Sequence, residues 1–245
     1  MYSQLSSGLL GINSELIRRF GYYHTNYRLY PRTDCFVEAF DAHTYSAWLC
    51  HRRTIYSRRP LSLYVHIPFC PPACFYYRSN QFITGDNNSI NKYLEYLILE
   101  IRLQGRLFKD DPRVEQLYMG GGIPTFLNHS QLNSVMNEIQ QNFNLIKEGE
   151  FCIEIDSSQI NNHSMAALIE MGFNCAIIGV QDFDHQVPQS IRCIQTEETT
   201  LRTIFSAQQA GFKSIKIELT YGLPKQSLET FEDTLEKIIS TYPNQ

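Results

Sequence analysis

From residue 61 onward, short apolar runs rich in β-branched residues alternate with longer stretches of helical periodicity. That alternation confines the chain to repeated βα units and a parallel sheet. The runs are Leu61 to Ile67, closed by Pro68, then Val114 to Met119, Glu150 to Asp156, Asn174 to Val180, and Ser214 to Leu219. A helix opens near Ser89 with Tyr93, Leu94, Leu97, Ile98 and Ile101 on one face, and Ser130 is read as the cap of a second that carries Leu132, Val135, Met136 and Ile139. A third runs from Asn162 through Met171 and is closed by Gly172, and a fourth from Glu197 to Ala210 with Gly211 as its stop. The polar loop before the fourth is long enough to carry function. Ser227 is a good N-cap for a fifth helix, whose buried stripe is read as Leu228, Phe231, Leu235, Ile238 and Ile239.

The expected fold is therefore α/β: a partial (β/α) barrel of about five parallel units over residues 61–245, preceded by a mixed extension over residues 1–60. Five units leave an edge strand to be covered by the extension, by a polypeptide completing the barrel, or by further sequence.

Charge limits the partners. A formal charge of -4 and pI near 6.0 give no electrostatic footprint for nucleic acid. Arg18-Arg19, Arg52-Arg53 and Arg58-Arg59 are short pairs that read better as solvated positions than as a phosphate track. No basic segment precedes a long apolar run, and no stretch approaches the ~20 apolar residues of a membrane span, so no membrane association and a cytoplasmic setting are expected. Seven cysteines form an odd set without a dense framework, and only Cys70 and Cys74 are close together.

In parallel βα folds, ligands bind beyond the C-terminal ends of the strands. The notable residues fall there: Cys70 and Cys74 after the first strand, Gly120-Gly121-Gly122 after the second, Glu154 and Asp156 on the third, Gln181-Asp182 after the fourth and Glu218 on the fifth. Taken singly, each reads as readily as a turn, a loop cysteine or a solvated carboxylate. Their shared address makes them a site. A glycine run lets backbone approach a ligand and offers N–H groups to a carboxylate or phosphate. Two cysteines at CxxxC spacing can give two thiolates to a metal, and a cluster ordinarily needs more ligands.

The stretch from Leu61-Ser-Leu-Tyr-Val-His-Ile-Pro-Phe-Cys70 to Cys74 resembles the cluster loop of radical S-adenosylmethionine enzymes, whose pattern is CxxxCxxC. The resemblance continues in order through Gly120-Gly-Gly-Ile-Pro-Thr-Phe-Leu127, Ile153-Glu-Ile-Asp156, Gly179-Val-Gln-Asp-Phe183 and Tyr221-Gly-Leu-Pro-Lys-Gln226, and covers the chain from about residue 15. Within that superfamily, Val-Gln-Asp-Phe and Tyr27-Arg-Leu-Tyr-Pro31 look like the oxygen-independent coproporphyrinogen III oxidases rather than the related haem chaperones. What this implies is a 4Fe-4S cluster held by three thiolates, S-adenosylmethionine bound at it, an electron donor, and coproporphyrinogen III as substrate, oxidatively decarboxylated on the way to haem. Tyr64, Gly121, Gly122, Glu154, Gln181 and Glu218 match positions around S-adenosylmethionine, and Cys70 and Cys74 match cluster ligands.

The position of the third cluster cysteine holds Tyr77. A phenol, with reference pKa about 10, is a harder and poorer ligand for an iron–sulfur cluster than thiolate. Ser79 replaces a further cysteine, Ile123 a threonine, Cys193 an arginine beside Arg192, and Glu218 an aspartate. The family's chains also continue past the position of residue 245 with another strand and a helical domain. The expectation is a coproporphyrinogen-oxidase-like chain with impaired catalysis. Its rivals are an inactive module that binds S-adenosylmethionine or a tetrapyrrole and, last, a haem carrier.

Overall fold

The computed structural model describes residues 40–55, 59–70, 82–83, 86–158, 165–191 and 195–243. Contacts divide the chain into two units, Met1–Ser57 and Arg58–Gln245. In the first, helix α1 (Ala42–Ile55) starts where the Asp41 carboxylate accepts the Thr44 N–H at 2.8 Å. The Tyr27 to Pro31 motif lies outside the described residues.

The second unit opens with β1 (Leu61–Ile67), whose Leu61, Val65 and Ile67 are buried while Ser62 and Tyr64 are exposed. After Pro68 comes β2 (Phe69–Cys70), paired in parallel with β3 (Phe82–Ile83). Asp86 caps α2 (Asn87–Leu107) by accepting the Asn88 and Ser89 N–H groups. Then follow β4 (Arg113–Gly121), a 3-10 turn at Pro124–Phe126, α3 (His129–Asn142) and β5 (Asn144–Ile155). The expected cap at Ser130 is corrected: Asn128 caps α3, because its carbonyl accepts the Gln131 N–H while the Gln131 side chain returns to the Asn128 N–H. Strand β5 also begins six residues earlier than Glu150, on a polar lead-in that pairs with the start of β4.

Helix α4 (Met165–Glu170) is described without the segment before it, and Gly172 ends that stretch at φ 106°. After β6 (Cys175–Val180), the stretch read as a polar loop contains a short helix, α5 (Gln186–Ser190), whose Val187 and Pro188 are buried. Helix α6 (Glu197–Ala210), stopped by left-handed Gly211, and β7 (Ser214–Leu219) have the expected bounds. The last helix, α7 (Leu228–Ser240), is capped by Ser227 as expected, yet its buried stripe differs. Thr234 and Ile238 are buried, whereas Leu228 and Ile239 are 82% and 60% exposed.

All five long strands are parallel, in the order β1-β4-β5-β6-β7. Strand alternation sends one set of side chains into a single apolar core. Ile67, Leu117, Met119, Ile153 and Ile178 meet Leu94 of α2, Leu132 and Met136 of α3, and Ile204 of α6 there. Each fully buried Leu, Ile or Met of that set contributes about 1.5–3 kcal/mol relative to exposure. The other face is paved differently: register places Tyr64, Tyr118, Cys152, Cys175 and Ser214 in one row across the sheet. Among the described residues no helix is long and apolar enough to cross a membrane.

Candidate functional site at the C-terminal rim of the sheet

The glycine run is where β4 meets the segment leading to Cys70. The Gly122 N–H donates to the Ile67 carbonyl at 2.7 Å, and the Ile123 N–H to the Phe69 carbonyl at 2.8 Å. A Cβ at Gly122 would lie 2.5 Å from the Phe69 carbonyl oxygen and 2.7 Å from that of Ile67, so no side chain fits between these backbones. Gly121 takes φ 109°, open to glycine at no steric cost, and a Cβ there would strike the His66 ring at 2.2 Å. The run therefore fixes the path of Phe69 and Cys70, and Cys70 is fully buried.

Glu154, near the end of β5, points into this corner. The Tyr118 hydroxyl donates to Oε1, and the Gly121 N–H donates to Oε2 at 3.1 Å. Burial pushes the Glu154 carboxyl above the ordinary carboxylate range, opposed by those two hydrogen bonds. The Tyr118 phenol is held far above its usual range by burial and by the same bond. Tyr64 stacks on Tyr118 with ring centroids 5.6 Å apart, and its hydroxyl meets His66 Nδ1 at 3.2 Å. Although 61% exposed, Tyr64 thus forms one wall of the corner.

The structure brings Tyr64, Gly121, Gly122, Glu154 and Cys70 to one corner. Glu218 is exposed on β7, on the same face as Glu154, and its charge raises the Glu154 carboxyl further. Gln181 is 5% exposed after β6, its N–H donating to Gln195 Oε1 at 3.4 Å. Asp182, read as a rim residue, is instead a structural hub. Its carboxylate accepts from Gln226 at 2.8 Å, Thr230 at 3.2 Å, Thr234 at 3.3 Å and the Asp184 N–H at 2.9 Å. Asp156 likewise serves a turn, accepting from the Ser158 N–H and hydroxyl at 2.8 Å each. Cys74, Tyr77, Ser79, Arg192 and Cys193 lie outside the described residues.

Sequence reasoning missed three contributors. Tyr118 sits mid-strand, and its partner is set by register with β5. Gln195 bridges Gly179 and Ser157, donating at 2.7 and 3.0 Å, and no local pattern announces it. Gln226 ties the turn after β7 to the end of β6, and its place in the Tyr221 to Gln226 motif was the available signal.

As a donor set, this corner fits a zwitterionic amino acid group. A partly buried carboxylate faces one side, glycine backbone approaches closely, and aromatic rings flank it. The thiol set does not fit a three-thiolate cluster, because a phenol stands third after Cys70 and Cys74.

The Radical SAM superfamily matches residues 64–238. The oxygen-independent coproporphyrinogen III oxidase of Pseudomonas aeruginosa is 37% identical over 235 residues, 95% of this chain and 51% of that protein. That of Escherichia coli is 35% identical, covering 94% and 49%. The solved coproporphyrinogen III oxidase of Escherichia coli, described as a radical SAM enzyme, superposes with a TM-score of 0.82 over 94% of this chain and 50% of that one. The chain thus spans about half the length of the relatives it matches.

Proposed function

Because the chain belongs to the Radical SAM superfamily, we propose that residues 61–245, after an extension of residues 1–60, form the S-adenosylmethionine-binding portion of a coproporphyrinogen III oxidase-type protein. The carrying observation is the corner in which Gly121 and Tyr118 both donate to Glu154, beside the glycine-stitched path to Cys70. In this reading the Glu154 carboxylate accepts from the amino group of S-adenosylmethionine. The backbone of Gly121 and Gly122 flanks its amino acid end, Tyr64 covers it, and Gln181 and Glu218 shape the far side of the rim. A 4Fe-4S cluster would draw on Cys70 and Cys74 and supply the reducing electron, itself delivered by a separate donor in a reducing, cytoplasmic setting.

Coproporphyrinogen III is the proposed substrate, on the strength of what the relatives are named for. Tyr77 limits cluster assembly, so the chain binds S-adenosylmethionine better than it turns over substrate. Equilibrium dialysis of S-adenosylmethionine under anaerobic conditions, with iron and sulfide analysis of the chain and a Tyr77→Cys variant, tests this. Expected are saturable binding weakened by Glu154→Gln, and a 4Fe-4S signal that grows in Tyr77→Cys. Absence of binding in both forms overturns the proposal. A full reducible cluster in the unaltered chain overturns the role given to Tyr77.

A further inference from the structure

Below the rim, toward the N-terminal ends of the strands, the same face of the sheet holds a second cluster of chemistry-bearing side chains. Cys152 on β5 and Cys175 on β6 are partners in parallel register, so their side chains project to the same side. Glu150, two residues before Cys152, shares that side. The two sulfurs and a Glu150 carboxylate oxygen all lie within 4.8 Å of one another. Both thiols are buried, at 3% and 0% exposure. Lys216 reaches across from β7, its ammonium 2.7 Å from Glu150 Oε2.

We infer that Cys152, Cys175 and Glu150 form a binding site for a thiophilic divalent cation of the zinc type, separate from the rim site and independent of the function proposed for it. Three observations favour this over a chance meeting of core residues. First, the spacing suits the ion. Tetrahedral zinc, with Zn–S near 2.3 Å and Zn–O near 2.0–2.2 Å, sets its ligand atoms roughly 3.3–3.8 Å apart. The three ligand atoms, within 4.8 Å of one another, lie near that range, and the register of β5 and β6 supplies the backbone.

Second, the donors are mixed in hardness. Two thiolates and one carboxylate suit a borderline-soft ion and disfavour magnesium or calcium. Third, the charge count is conserved. With both thiols protonated, the Glu150–Lys216 pair is neutral. With both protons released and a divalent ion bound, two thiolates, a carboxylate, the ammonium and the ion again sum to zero. A buried site that exchanges two protons for one divalent ion avoids an uncompensated charge, whereas a monovalent ion would leave one. The cost of deprotonation is shared unequally. Contact between the two sulfurs holds the Cys175 thiol below its ordinary range and the Cys152 thiol above it.

The test is anaerobic titration of the reduced chain with Co(II) in a Cys70→Ser/Cys74→Ser background, which removes the rim thiols. Expected is one equivalent with thiolate-to-cobalt charge-transfer bands and tetrahedral d–d bands. Cys152→Ser and Cys175→Ser should each abolish that equivalent. No such bands in the background, or an undiminished equivalent in either serine variant, overturns the site. If a serine variant fails to fold by circular dichroism, Glu150→Gln decides, since that carboxylate is 43% exposed. It should weaken binding at least tenfold with the charge-transfer bands retained, and an unchanged affinity overturns the proposal.

Discussion

The N–H of Gly122 donates to the carbonyl of Ile67 at 2.7 Å, so the end of strand β4 is sewn to the residue three places before Cys70. This one bond makes the glycine run part of the machinery that positions Phe69 and Cys70, in addition to any ligand it meets. Replacing Gly122 by alanine puts a Cβ 2.5 Å from the Phe69 carbonyl oxygen, a backbone atom with nowhere to retreat. Gly122→Ala should lose about 1–3 kcal/mol of stability. Urea unfolding followed by circular dichroism measures it, and the same variant should bind S-adenosylmethionine more weakly.

Glu154 makes stability depend on pH in a definite sense. Its carboxyl is raised in the folded chain, chiefly by burial, so between the ordinary value of 4.5 and the raised one the native state holds the extra proton. The contribution is fully present below pH 4.5 and is lost as pH rises through the folded value. Glu154→Gln removes that decline, and urea midpoints across the interval should fall less with pH in the variant than in the parent. Because the amide gives up the charge offered to an ammonium group, S-adenosylmethionine binding should weaken about tenfold or more.

Asp182 is 2% exposed and receives four hydrogen bonds, two of them from Thr230 and Thr234 of α7. Asp182→Ala removes the acceptor of all four and leaves buried Thr234 without it, at a cost of about 2–4 kcal/mol. Hydrogen exchange should show the loss concentrated in α7 and in the turn held by Gln226, with α2 and α3 little changed.

Arg102 of α2 and Glu138 of α3 form a two-pronged ion pair, with bonds of 2.8 and 2.7 Å. The guanidinium holds the Glu138 carboxyl below its ordinary range. That stabilisation is present above pH 4.5 and is lost as pH falls through the lowered value. Glu138→Gln should therefore unfold at lower urea concentration than the parent at neutral pH, and the gap should close in acid.

Leu228 and Ile239 of α7 stand 82% and 60% exposed. Leu228→Gln should change the chain's stability by no more than about 0.5 kcal/mol in either direction. A larger loss on thermal or urea unfolding would show that this position is covered in solution.

Much of this architecture was legible because period and punctuation agree. The runs at Leu61, Val114, Asn174 and Ser214 all became strands, and Glu197 to Ala210, stopped by Gly211, became α6. The errors have physical causes. Ser130 and Asn128 are both good caps, and only the reciprocal bond with Gln131 selects Asn128. Pro188 hid α5, because a proline there reads as a loop although a five-residue helix tolerates one in its first turn. The α7 stripe was read from hydrophobicity, yet the helix buries Thr234 because Asp182 needs its hydroxyl. At the site, Glu154 and the glycines were found from their place at strand ends. Tyr118 escaped because a partner chosen by inter-strand register leaves no mark in the local sequence, and Gln195 because its partners Ser157 and Gly179 are distant along the chain.

The two faces of the sheet answer to different pressures. Leu117, Met119, Ile153 and Ile178 of the main core turn toward the helices, while Tyr64 and Glu218 of the other face are largely open to water. A replacement at those two open positions therefore meets little resistance from folding, whereas Cys152 and Cys175 on the same face are buried. At the open positions one chemistry can be exchanged for another, or can lapse, at little cost in folded chain. What a cell's quality control inspects and what a substrate inspects are, in this molecule, different residues of the same five strands.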